Sequence, residues 1–257
     1  KRSNIGHKET GGNSWISANA QPRELLAATP RTTTEDWRDE IIYFLMTDRF
    51  CDGDSSNNGS FYNKNNVNYY HGGDLQGIMD QVDYLRHLGI TSIWITPPVE
   101  NVWRDPHYSE YTGYHGYWAR DFSKLDPHLG SDTEFYRSFI NTMHQNGLLV
   151  IQDIVVNHLG PLAAYNSGWT PTFSTSGYAR TFAQTLNSTN AKTYNYTIPT
   201  QAPFNQLTSF NNYGQINNYD DPTQLVKGDL SDLPDLNTEN MAVKAELINA
   251  YSKWAGL

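Results

Sequence analysis

A single cysteine, Cys51, stands among the 257 residues, so no internal disulfide framework can hold this chain together. Charge is scarce as well. Asp, Glu, Lys and Arg fill 18% of positions, against roughly 25% in an average globular protein. With 18 basic and 27 acidic side chains, the formal net charge is −9. No basic stripe is present to meet a phosphate backbone, which argues against a nucleic-acid partner. Long apolar runs are also missing: Ile41 to Met46 is the longest, far short of the roughly 20 residues that span a bilayer. No membrane partner is therefore expected. No Gly-rich phosphate turn follows any apolar stretch, since Met46 leads into Thr47-Asp48-Arg49-Phe50, and this disfavours a nucleotide fold. Nor does a charged-then-apolar leader follow Lys1; a signal peptide is expected to have been removed or never included.

What fills the space is uncharged and polar. Asn supplies 25 positions, Tyr 17 and Trp 7, a composition suited to a neutral, hydroxyl-rich ligand that aromatic faces can stack on. Residues 1–38 are Ser/Thr/Asn/Gly-rich without periodicity and read as a poorly packed arm or leader. Ile41 to Met46 reads as a strand buried on both faces. Ile78, Val82, Leu85 and Leu88 then recur at helical spacing, closed by Gly89. Ser92 to Thr96 is a second strand, stopped by Pro97-Pro98. Ser131 with Glu134 gives a capping-box signature before Phe135, Phe139, Ile140 and Met143, and that helix ends at Gly147. Leu148 to Ile151 with Ile154 to Val156 form a third strand. Residues 159–232 show no helical period and read as an irregular, β-containing insertion. Val243, Leu247, Ile248, Tyr251 and Trp254 restore a helix.

Strand and helix alternate as in an α/β barrel with a small domain inserted after the third strand. Pattern alone also admits a doubly wound sheet. The third strand runs into Asp153-Ile154-Val155-Val156-Asn157-His158, which places polar side chains where barrel strands present site residues.

Three segments, Tyr114 to Phe122 (YHGYWARDF), Asp153 to His158, and Leu233-Pro234-Asp235-Leu236-Asn237, resemble in order and spacing the motifs of the alpha-amylase family, glycoside hydrolase family 13. Ile93 to Asn101 is similar to its second-strand segment. The resemblance implies a (β/α)8 TIM barrel of which residues 39–158 supply the first three strands. Residues 159–232 would be domain B, and 233–257 would return to the barrel short of the fourth strand. It implies retaining cleavage of α-1,4-glucosidic bonds in starch, glycogen or maltodextrins, by two carboxyl groups roughly 5 Å apart. No catalytic residue is expected within this chain, because the nucleophile and general acid sit on later strands. The remainder of the barrel is expected from a C-terminal segment.

The residues that remain are those of a sugar-binding wall. The resemblance implies that Tyr117 stacks on a sugar with Trp118 in support, that His115 and His158 donate to sugar hydroxyls, that Asp153 organises the site, and that Asp232 binds sugars on the donor side. It also implies two calcium sites. Asp52, Asp54, Asn57, Asn58, Asp74 and the Gly72 carbonyl offer the oxygens a hard cation takes; the loop is not an EF-hand, since Asn57 and Asn63 stand where Gly and Glu would be required. The second site would use Asn157, Asp235 and the Val226 carbonyl. Ser231 stands where the cyclodextrin glucanotransferases of the family carry a bulky aromatic, which favours hydrolysis over cyclisation. Transglycosylation of that type, or a non-catalytic carbohydrate-binding fragment, are the alternatives. A secreted or periplasmic location is expected.

Overall fold

The computed structural model describes residues 27–167, 170–186 and 189–257. Most of the expected arm, 1–26, lies outside the described residues. Its described end is tied down rather than loose: the Arg31 amide donates to the His144 carbonyl at 3.0 Å, and Arg31 pairs with Glu40.

The chain opens with β1 (Ile42–Leu45) and the single turn α1 (Thr47–Phe50), followed by α2 (Leu75–Asp80) and α3 (Val82–His87). Next come β2 (Ser92–Ile95), β3 (Val99–Asn101), β4 (Ala119–Leu125), α4 (Thr133–Gln145) and β5 (Leu149–Gln152). Strands β1, β2 and β5 form one parallel sheet in that order, with Tyr43 opposite Ile93 and Ile93 opposite Val150. The helices cover one face. Leu45, Ile93 and Ile95 are buried there with Leu75, Ile78, Leu85, Phe139 and Met143. On the opposite face Phe44 and Trp94 meet edge to face at 5.2 Å and remain about half exposed.

The helix ends follow the sequence closely. Gly89 and Gly147 adopt φ +79° and +77°, and the residue after each closes a six-residue loop: Ile90 N donates to Leu85 O, and Leu148 N to Met143 O. The helix starts differ from the reading above. Asp74 caps α2 four residues ahead of Ile78, and Gln81 interrupts the run so that α3 begins anew. At α4 the cap is Asp132, not Ser131: its carboxylate accepts from the Glu134 and Phe135 amides, both at 2.9 Å. An ionised carboxylate there also meets the positive end of the helix. Residues 154–156 leave the sheet, because the ladder ends where the Asp153 amide donates to Ile95 O.

Two features carry no sequence signal of their own. β3 and β4 pair antiparallel around the aromatic loop 102–118. Within 159–232, β6 (Ala163–Tyr165) pairs antiparallel with β7 (Arg180–Phe182), and three short helices follow: α5 (Ala183–Leu186), α6 (Ala191–Tyr194) and α7 (Pro222–Lys227). Strands of three residues and helices of four to six are too short to display a period. Helix α8 (Met241–Ala255), capped by Asn240, closes the described fold. Its Trp254 indole donates to Phe122 O at 2.6 Å and packs edge-on to Tyr136. Among the described residues no helix is long and apolar enough to cross a membrane.

Candidate active-site cleft

Beyond the end of β5, Asp153 accepts a 2.9 Å hydrogen bond from the Tyr117 hydroxyl. Tyr117 is held at three further points. Its amide donates to His115 Nδ1 at 3.0 Å, its carbonyl accepts from His158 Nε2 at 3.1 Å, and its ring stacks on His115 at a 26° interplanar angle. Burial, and then the bond to Asp153, push the Tyr117 phenol up to about 12, so it stays a neutral donor. Trp118 meets His115 edge-on at 5.1 Å. Its amide donates to the buried Asn101 side chain at 2.7 Å.

The two histidines take different parts. Burial first, then the positive charge of Arg49 and the neighbouring His158, hold His115 down to about 4. A neutral imidazole whose Nδ1 accepts must carry its proton on Nε2, which leaves one N–H for a ligand. His158 is also lowered by burial. Since a carbonyl can only accept, its Nε2–H is committed to Tyr117 O; Nδ1 lies 3.4 Å from Asn157 Nδ2. The donation expected toward a sugar therefore goes to the backbone that holds Tyr117.

Trp118, Ser231 and Asp232 line one open groove of about 600 Å³, together with Asp105 and Tyr111. Of the predicted sugar-site residues, Trp118 and Asp232 share this groove, whereas His115, Tyr117, Asp153 and His158 are not among those that line it. Behind this wall, Arg180 is buried and ion-paired with Asp229, donates to Ala163 O at 2.7 Å and to Asn212 Oδ1 at 3.0 Å, and lies over the Tyr165 ring. Asp229 in turn accepts from the Asp235 amide at 3.2 Å. Sequence reasoning missed Asn101, Asp105, Arg180 and Asp229. A buried polar residue without a motif has no signal except the partner that folding brings to it.

Among the described residues no three His, Cys, Asp or Glu side chains form a metal-binding group; the candidate first site depends on amide oxygens. Asn57 Oδ1 and Asn58 Oδ1 are buried without a hydrogen-bond donor, an arrangement that costs free energy unless something positive is supplied. A Cβ on Gly72 would fall 2.8 Å from Asp52 Oδ2 and closer still to Asn58 Oδ1, so these oxygens converge. These residues fit a hard cation. Two of the predicted ligands do otherwise. The Asp74 carboxylate is filled by four donors, the amides of Gly53, Asp54 and Gly77 and the Asn57 side chain. The Asp54 side chain is exposed and bonded to Ser56. At the second candidate site, the Asn157 carbonyl accepts from the Leu236 amide at 2.8 Å and the neighbouring His158 bridges to Asp235. Burial raises the Asp235 carboxyl to about 7. Val226 sits in the last turn of α7, 59% exposed, where helix carbonyls lack intrahelical partners.

The profile of the alpha amylase catalytic domain matches residues 44–256. The chain belongs to the alpha-amylase family. Its three parallel strands are therefore strands of a (β/α)8 barrel, and the half-exposed Phe44 and Trp94 lie on the face turned away from the covering helices. Cyclomaltodextrin glucanotransferase of Klebsiella oxytoca is 34% identical over 240 residues, covering 90% of this chain and 33% of that protein. An alpha-amylase of Niallia circulans is 34% identical over 245 residues, covering 91% and 42%. The alpha-amylase of Geobacillus thermoleovorans, solved in complex with acarbose, superposes with a TM-score of 0.55 at 32% identity, over 87% of this chain and 38% of that one. The chain spans well under half the length of these alpha-amylase relatives, whose names divide between transferase and hydrolase.

Proposed function

We propose that the protein carrying this chain is a retaining alpha-amylase that hydrolyses α-1,4-glucosidic bonds in starch, glycogen or maltodextrins. The observation that carries the reading is Tyr117. Two contacts hold its backbone and two its ring and hydroxyl, and its chain neighbour Trp118 lines the groove with Asp232, which gives an apolar sugar face something rigid to stack on. His115 Nε2–H supplies a neighbouring donor. The nucleophile and the acid would come from later strands of the barrel, so this chain supplies substrate binding and orientation. Calcium is proposed at Asp52, Asn57, Asn58 and Gly72, with Asp74 shaping the loop, and a second ion at Asn157 and Asp235 with the Val226 carbonyl. Bound there, the ion supplies the positive charge that the uncompensated oxygens lack. A secreted or periplasmic location is consistent with such sites.

Hydrolysis is preferred to cyclisation because of Ser231. A hydroxymethyl side chain covers little of the groove, so water reaches a glycosyl-enzyme intermediate more readily than a returning glucan end. Chromatography of early products from soluble starch tests this. Linear maltooligosaccharides are expected, and cyclodextrins as the main early product would overturn the hydrolase reading. Ser231→Tyr is expected to raise the cyclised fraction.

A further inference from the structure

The groove beside Trp118 has a feature that sugar binding does not explain: two carboxyl groups, Asp105 and Asp232, line it together and interact electrostatically. Asp105 is 2% exposed. One of its oxygens accepts from the His107 and Tyr108 amides at 2.6 and 2.9 Å, which fixes the carboxyl to its own loop. Asp232 comes from a distant part of the chain, on a turn closed by the Leu233 amide donating to Leu230 O at 3.2 Å. In that turn Ser231 adopts φ +63°, a left-handed backbone that non-glycine residues rarely take. Asp232 also borders a second cavity of about 170 Å³, with His107, Ala163 and Thr170, so its carboxyl stands where two spaces meet.

Among the described residues neither Lys nor Arg lines either cavity, and Glu110 adds a further negative group to the groove. Burial lowers His107, the titratable neighbour on the Asp105 loop, against the opposing pull of the Asp232 charge, which favours its neutral form. Two carboxylates in contact cannot both ionise cheaply.

We propose that Asp105 is a positioning residue for Asp232: its protonated carboxyl donates to the Asp232 carboxylate and holds it as the acceptor for sugar hydroxyls along this groove. The inference rests on the α-glucan reading above. Burial and the Asp232 charge lift Asp105 to about 7, which places loss of the shared proton between pH 6 and 8. Once both groups are charged they repel, and Asp232 turns from the orientation the sugar meets.

The test uses the protein expressed from its complete reading frame, titrated with maltohexaose by calorimetry at pH 6 and pH 8, with starch cleavage followed in parallel. The parent Kd is expected to weaken about tenfold across that interval, as a single protonation centred near 7 requires. Asp105→Asn keeps an oxygen for the two loop amides and an N–H for Asp232. It is expected to bind within about twofold of the parent at pH 6 and to lose the pH step. Asp105→Ala is expected to bind about tenfold more weakly at both pH values, raising KM while leaving kcat in place. A pH step that persists in Asp105→Asn overturns the proposal. So does an Asp105→Ala variant that loses folded fraction while its remaining sites bind with parental affinity. A parent that binds maltohexaose without cleaving starch overturns the hydrolase reading alone, and the same titrations still decide the pair. A parent that does not bind at all overturns both.

Discussion

The Tyr117 hydroxyl donates to Asp153 across 2.9 Å and so ties the loop ahead of β4 to the end of β5. The contact joins residues 36 positions apart and fixes the ring that the sugar is proposed to meet. Tyr117→Phe keeps the ring and loses this bond. Net loss of one hydrogen bond to a charged group is about 1.5–3 kcal/mol, so substrate affinity is expected to fall about tenfold or more, with Asp153→Asn falling less because an amide oxygen still accepts. Tyr117→Ala removes the stacking face too and is expected to be worse than either. Steady-state kinetics on a maltooligosaccharide ranks the three.

Calcium is expected to raise the melting temperature, and chelation to lower it. Asn58→Ala and Asp52→Ala should remove the part of that response due to the first site while leaving the chelated protein nearly as stable as its parent. Asp74→Ala should behave differently. Because Asp74 caps α2 and anchors the amides of Gly53 and Asp54, its loss is expected to cost about 1–2 kcal/mol even in chelator. Melting curves with and without metal separate the roles. Identical curves throughout, with no metal in elemental analysis, would remove the calcium proposal.

Arg180 and Asp229 form a buried ion pair with side chains 1% and 0% exposed. Removing one partner strands the other charge, so Arg180→Met is expected to destabilise by about 3–5 kcal/mol. The double variant Arg180→Met with Asp229→Leu should recover part of that loss. Denaturant unfolding of the single and double variants measures the difference; a double variant no better than the single would show that the hydrogen bonds to Ala163 and Asn212 matter more than the charge.

His115 stays neutral in the fold to about pH 4, whereas the unfolded chain takes up a proton near 6.5. Between those values the unfolded state binds more protons, so stability contributed by this residue is present above 6.5 and falls as the pH drops toward 4. His115→Asn is expected to flatten the acid side of the stability profile over that window. Asp105 works in the opposite sense, losing stability as pH rises from 3.8 to about 7, and because its window overlaps that of His115, Asp105→Asn should make stability rise more steeply with pH across it. Melting temperatures taken from pH 4 to 8 resolve the two slopes.

Local chemistry made much of this fold legible in the sequence. The apolar strands at Ile42, Ser92 and Leu149, the glycines that stop two helices, and the aromatic loop between Trp103 and Trp118 each depend on neighbours within a few positions, and the structure has them at those places. The motifs that meet around Tyr117, from His115 to Trp118 and from Asp153 to His158, were legible for the same reason: each is a contiguous run whose order is its signal. Tertiary structure alone decided the rest. The proton on His115, the commitment of His158 to the Tyr117 backbone, the saturation of Asp74 and the meeting of Asp105 with Asp232 arise between residues brought together by packing. A carboxylate's role is set by which donors, charges and solvent surround it after folding, and those neighbours are written far away in the chain.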